Sequence, residues 1–170
     1  MSAGGDDGPI AIESVIARVP FTVRRIVRWS ECDPAGVVYV GNFPQYMLST
    51  AQLFRQLLFG GRPGSQNAGK PYGTPGKAIS MVFLGSLWPG DHFDMAVYLG
   101  TVGQRTSDVL VHGFREDNGS DVFVGRVTSI YVSSEDRKKT VGIPDEVRSA
   151  FDRYRTSCPP PPKVLDQVGR

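Results

Sequence analysis

Between residues 43 and 59 the apolar side chains fall at Phe43, Tyr46, Met47, Ala51, Leu53, Phe54, Leu57 and Leu58. This three-and-four spacing predicts a helix with one broad buried face. The other positions include Gln45, Ser49, Gln52 and Gln56, and Arg55 is the single charge. A face that is polar without being ionic suits a helix covered by protein on most sides. Elsewhere the period shortens to two. Residues 21–29 alternate, with Phe21, Val23, Val27 and Trp29 on one parity and Arg24, Ile26 and Arg28 on the other, which reads as a strand. Four more strand-like runs cover 78–87, 92–101, 107–115 and 121–132. Trp88-Pro89-Gly90-Asp91 suits a type II turn, and Asn118-Gly119 is a strong hairpin signal. Consecutive hairpins predict an antiparallel meander. One helix cannot hide its apolar face alone, so an α+β arrangement is expected, with a curved antiparallel sheet wrapped around one long central helix.

The flanks are less regular. Residues 10–19 fit an extra strand or a short helix, and 144–154 a short helix with Pro144 near its start. Residues 60–76 are rich in Gly and Pro and lack periodicity, and a loop of that length is usually functional or mobile. The run Cys158-Pro159-Pro160-Pro161-Pro162 opens a tail expected to be extended or disordered. The division expected is an N-terminal extension over 1–19, partly disordered, one domain over 20–156, and a Pro-rich tail over 157–170.

Composition narrows the function class. The 170 residues hold 19 Lys and Arg against 17 Asp and Glu, a net charge of +2. That excess is too small and too evenly spread for a nucleic-acid partner. No run approaches a membrane span, and residues 1–9 lack the basic and apolar regions of a secretion signal, so a soluble cytoplasmic protein is expected. Two cysteines, Cys32 and Cys158, make neither a disulfide framework nor a metal set. No metal and no cofactor is expected.

The chemistry concentrates between Trp29 and Phe43, where a strand, a tight turn and the long helix meet around Asp33. Pro34 stiffens the turn, and Gly36 permits a backbone that a Cβ would obstruct. Gly41-Asn42 offers a helix cap and Pro44 falls in the first turn. A carboxylate facing the unpaired N–H groups of a helix start is minimal equipment for attacking a carbonyl. Between Asp33 and Asp91 there is no other acid. Cys32 reads as a buried structural thiol, Glu31 as an exposed turn acid, His112 as a satisfied strand residue and His92 as an exposed one.

The string Cys32-Asp33-Pro34-Ala35-Gly36-Val37-Val38 with Asn42 resembles the hotdog-fold thioesterases of the 4-hydroxybenzoyl-CoA thioesterase type. Gly73-Thr74-Pro75, Asp91, Arg105-Thr106-Ser107 and Ile143-Pro144 support the likeness. The resemblance implies hydrolysis of an acyl-CoA thioester, with Asp33 attacking the carbonyl or activating a water. It places the oxyanion donor at the Val40 backbone N–H, and substrate contacts at Gly36, Val37, Tyr39, Gly41, Asn42, Met47, Thr74 and Arg105. It also implies a homodimer or homotetramer, with two sheets made continuous and pantetheine entering between protomers. Three departures bear on specificity. Leu48 stands where the family's helix carboxylate reads a ring hydroxyl, and an apolar residue cannot pair a phenol. Gln104 and Thr106 replace basic partners of Arg105, and Val40 replaces an aromatic residue. A different acyl group, or a carrier-protein thioester, is compatible with these changes. A dehydratase of the same fold would need a His at the helix approach, and none lies between Met1 and Gly90. A non-catalytic acyl or carrier-protein binding module is the remaining alternative.

Overall fold

The computed structural model describes residues 11–60 and 67–169. The first ten residues of the expected extension and residues 61–66 of the long loop lie outside the described residues. Strands β1 (Glu13–Arg18) and β2 (Phe21–Ile26) lead to helix α1 (Phe43–Phe59). Then come β3 (Tyr72–Gly73), β4 (Gly76–Phe83), β5 (His92–Val102), β6 (Thr106–Arg115), β7 (Asp121–Ile130) and β8 (Val132–Ser133). Helix α2 (Asp145–Ser157) and a 3-10 segment (Lys163–Val168) end the chain. The main sheet has six strands in the order β1-β2-β5-β6-β7-β4, every pair antiparallel, while β3 and β8 form a small second sheet. Of the run expected to be an extra strand or a short helix, Glu13–Arg18 forms a strand, paired to β2.

The sheet wraps α1 because their apolar faces match. Phe43, Tyr46, Met47, Thr50, Ala51 and Phe54 are the buried residues of the helix, the i, i+3, i+4, i+7 series of one face. They belong to one core with Phe21, Val23, Phe93, Met95, Val97, Val109, Val111, Phe123 and Val127 of the strands. Gly125 of β7 lets the helix lie close: a Cβ there would stand 2.2 Å from Met47 Sδ. Helix α2 closes one end. Its Tyr154 ring meets Phe54 edge-on at 4.6 Å, while its hydroxyl accepts from Phe21 N–H and donates to the Val97 carbonyl, both at 2.8 Å.

The tail departs from expectation. Leu165 and Val168 of the 3-10 segment are buried against Ala96, Tyr98, Leu110 and Val124 on the sheet's outer face. Proline fixes the approach of the chain, and two apolar anchors on an exposed apolar stripe recover its ordering cost. Strand β4 sits at the sheet edge with Ile79 and Phe83 nearly half exposed. An apolar edge of this length is a template for another strand.

Candidate active site

The residues between β2 and α1 form a clasped hairpin. Asp33 N–H donates to the Val37 carbonyl at 2.8 Å and Gly36 N–H to the Asp33 carbonyl at 2.9 Å. Gly36 makes this turn with φ of 81°, a left-handed conformation that a side chain disfavours. Cys32 bridges Val38. One step outward, the Glu31 carbonyl accepts from Tyr39 N–H at 3.0 Å and from Asn42 Nδ2 at 2.7 Å. The Asp33 side chain is partly exposed, and its Oδ1 accepts from Ala35 N–H at 2.8 Å, holding the carboxylate in an Asx turn.

The helix start is built differently from the sequence expectation. Asn42 occupies the cap position of α1, but its backbone is already helical and its side chain makes no cap. The amide is instead spent on the Glu31 carbonyl, tying the helix to the Asp33 hairpin. A short 3-10 turn (Val40–Asn42) precedes α1. Its opening N–H groups, at Val40 and Gly41, have no acceptor within the turn, as at any helix start. Both residues are exposed, and the Tyr39 ring folds back over Gly41, where a Cβ would meet it at 2.4 Å.

Glu31, expected as an exposed turn acid, is only 8% exposed. Its carboxylate accepts from Arg28 N–H at 2.9 Å, pairs with Arg28 Nη2 at 3.2 Å, and receives Arg25 Nη2. Arg25 in turn pairs with Glu13 at 2.6 Å and lies 4.5 Å over the Tyr46 ring. Burial pushes the Glu31 carboxyl up, but the Arg28 amide and the Arg25 guanidinium outweigh it and hold it below its ordinary value. Burial, joined by the Glu31 charge, pushes the Tyr46 hydroxyl up to about 12. The cause of the miss is parity. Arg25 shares the inward face of β2 with Phe21 and Val23, and a buried guanidinium draws in the acid that neutralises it. Cys32 packs partly buried against the core, and burial followed by Glu31, Asp33 and Asp91 pushes its thiol up, away from a nucleophilic thiolate.

The remaining sequence candidates divide by position. Gly36 and Val37 bond to the Asp33 backbone within the hairpin, Tyr39 and Asn42 to the Glu31 carbonyl beside it, and Val40 and Gly41 stand in the 3-10 turn between these two. Met47 is fully buried with its sulfur against Gly125. In this protomer it is a core residue and presents no surface to a substrate, because the helix face that carries it is the one the sheet covers. Thr74 and Arg105 lie at the opposite end of the sheet. Gly76 pairs with Ser129, and Arg105 precedes β6 and donates to Thr140 Oγ1 at 3.1 Å. The 11 residues of β5, at about 3.3 Å each, separate that end from the Asp33 end by roughly 35 Å. Around Thr74 lies what the sequence did not disclose, a cavity of about 280 Å³ lined by Leu48, Gln52, Arg55, Thr74, Val127 and Ser129 among others. The one signal for it was a lone charge on a helix otherwise free of ions. Among the described residues no cluster of His, Cys, Asp and Glu fits a metal ion, and no helix is long and apolar enough to cross a membrane.

A long helix wrapped by an antiparallel sheet, entered through an acid-bearing hairpin, is the hotdog fold of thioesterase-like proteins. The sequence model of the thioesterase-like superfamily matches residues 27–151, and the chain belongs to that superfamily. Solved structures agree on the fold. A protein from Staphylococcus aureus, solved in complex with CoA, aligns with a TM-score of 0.76 at 14% identity, over 93% of this chain and 96% of its own. A 1,4-dihydroxy-2-naphthoyl-CoA thioesterase from Synechocystis aligns with a TM-score of 0.68 at 17% identity, over 78% and 95%. A gentisyl-coenzyme A thioesterase aligns with a TM-score of 0.64 at 22% identity, over 76% and 98%. No curated sequence matches the chain significantly.

Proposed function

We propose that the protein hydrolyses an acyl-CoA thioester, with Asp33 as nucleophile or general base and the amides opening the 3-10 turn as the oxyanion site. The observation that carries this reading is the clasp. The Glu31 carbonyl receives both Tyr39 N–H and Asn42 Nδ2, so the hairpin that presents the Asp33 carboxylate is bonded directly to the turn whose first N–H groups have no acceptor within it. Membership of the thioesterase-like superfamily and the aryl-CoA thioesterases among the structural relatives support it. In the reaction, Asp33 attacks the thioester carbonyl or takes a proton from an attacking water. The carbonyl oxygen becomes anionic and is held by Val40 N–H, and it re-forms the carbonyl as the C–S bond breaks, the thiolate taking a proton to leave as the thiol. On the nucleophilic route water then hydrolyses the anhydride on Asp33 and frees the acid. Arg105, exposed at the far rim, suits a CoA phosphate as a cationic contact.

Because only its amide acts, Val40 offers a clean test. Proline at the first position of a helical turn removes the N–H without breaking the turn. Val40→Pro is expected to lower kcat for benzoyl-CoA or hexanoyl-CoA by about 100-fold, the typical loss of one oxyanion donor, while Val40→Ala stays within about 3-fold. Equal activity of Val40→Pro and Val40→Ala, followed by thiol release, would remove the oxyanion assignment.

The same reading requires a second copy of the chain. Strand β4 has one partner, β7, and its free edge carries Ile79 and Phe83. Two-fold antiparallel pairing of β4 with its copy would make one continuous sheet and carry Thr74 and Arg105 of each protomer toward the Asp33 end of the other. Ile79→Lys, which places a charge on that edge, is expected to shift the protein to monomer in sedimentation and to lower hydrolysis with it. Full activity from a monomer would place the whole site within one protomer.

A further inference from the structure

Arg55 is the single charge on α1, and it is placed where a charge is costly. The guanidinium is sunk among protein atoms, and burial pulls it below its ordinary value. Its Nη1 donates to Thr74 Oγ1 at 2.9 Å and its Nη2 to Ser129 Oγ at 2.5 Å. Both partners are neutral hydroxyls. Among the described residues no carboxylate pairs with it, unlike Arg24, Arg25, Arg28 and Arg115, which all reach acids. Arg55 is half-buried, and a cation drawn that far from water without a counter-charge carries a desolvation penalty that neutral hydroxyls only partly offset.

The surroundings say what would offset it. Arg55 lines the cavity of about 280 Å³ whose other walls include the aliphatic Leu48, Ala51, Val109 and Val127. At about 30 Å³ per water-sized group, that volume holds roughly nine such groups. Thr74 Oγ1 already accepts from Arg55 and from Asn67 Nδ2, the latter at 2.8 Å, so its own proton is left to donate. Its remaining polar lining, Gln52, Asn67 and Ser129, joins Arg55 and Thr74, so a cavity with aliphatic walls on one side and a guanidinium, hydroxyls and amides on the other matches a short acyl chain with an acid at its far end.

We propose that this cavity receives the distal carboxylate of an acyl group, with Arg55 and Thr74 as the residues that select a carboxylate-bearing acyl thioester over a neutral one. The proposal rests on the thioesterase reading above and on its two-fold pairing. Within one protomer the 17 residues of α1, at about 1.5 Å each, keep Arg55 some 20 Å from the helix start. Pairing through β4 exchanges the ends. That strand runs from Gly76, beside Thr74, to Phe83, whose ring lies 5.5 Å from Phe43 at the start of α1. An antiparallel copy therefore brings its Arg55 cavity toward the Asp33 hairpin of the first.

The test compares matched thioesters on the full-length protein: adipoyl-CoA against hexanoyl-CoA, and 4-carboxybenzoyl-CoA against benzoyl-CoA. The readout is the ratio of kcat/KM within each pair. The wild type is expected to favour the carboxylate member of at least one pair by about 10-fold or more. Arg55→Met is expected to bring that ratio to about one or below, and Thr74→Val to lower it several-fold, since a bidentate charged contact is lost outright and a single hydroxyl only in part. Arg55→Lys, which keeps the charge without the fork, should fall between and serves if Arg55→Met does not fold. Equal ratios in the wild type overturn the proposal, as does an unchanged ratio in the Arg55 variants. So does a shift of the dimer equilibrium in Arg55→Met without a change of ratio, which would assign Arg55 to a carboxylate of the second copy. If the wild type cleaves none of the four esters, the thioesterase reading fails separately. Calorimetry with the corresponding non-hydrolysable CoA thioethers then decides this proposal: tighter binding of the charged thioether, lost in Arg55→Met, upholds it, and equal binding overturns it.

Discussion

Asp33→Asn is expected to lower kcat/KM for acyl-CoA hydrolysis by about 10³-fold, roughly 4 kcal/mol of transition-state stabilisation. The amide can neither attack as an anion nor accept a proton, so both roles open to Asp33 are lost together. The fold should not follow. Asp33 is partly exposed, its one side-chain hydrogen bond among the described residues comes from Ala35 N–H, and an Asn oxygen accepts that bond in the same Asx turn. Unchanged urea unfolding with collapsed thiol release is therefore the signature expected. Undiminished turnover would reject Asp33 as the reacting carboxylate.

The second large effect falls on stability. Glu31→Ala should cost about 3 kcal/mol, the lower end of what breaking a buried ion pair costs, because Arg25 keeps Glu13 as a partner. For a chain of this length that corresponds to a fall in Tm of roughly 6–12 °C. The pH dependence has a definite sign. The Glu31 carboxyl is held below its ordinary value in the folded state, so its contribution is fully present above the unfolded carboxyl range, near pH 4.5. It is lost as pH falls through the depressed folded value. Wild type should lose stability steeply below about pH 4.5, and Glu31→Ala should lose less over the same interval. Parallel acid limbs for the two proteins, measured by thermal unfolding from pH 3 to pH 7, would show that the charge of Glu31 on its arginines does not stabilise the fold.

Glu31 also illustrates how far the chain could be read without coordinates. Its residue type and its place beside a turn fit a solvated acid. The alternation of Phe21, Val23 and Val27 already puts Arg25 on the apolar face of β2, but nothing in the sequence says that the turn brings Glu31 back onto that guanidinium. The Pro-rich tail is a similar case. Leu165 and Val168 have too little apolar company locally to predict order, and they bury only because Tyr98, Leu110 and Val124 present a stripe on the outer face.

The periodic elements were legible because period alone defines them. The 3.6-residue spacing from Phe43 to Phe54 specifies a helix whatever covers it, the short runs of β-branched and aromatic residues in β5, β6 and β7 specify strands, and Pro-Gly and Asn-Gly specify the turns between. The string around Asp33 was legible because its turn needs Pro34 and Gly36 as residues. Tertiary structure alone decided the rest. It put Glu31 under two arginines and Arg55 against a cavity, with no acid among the described residues to pair it. The physical reason is common to both. Burial and charge pairing join residues distant in sequence, so their free energy is set by where the sheet closes over the helix and not by any local pattern.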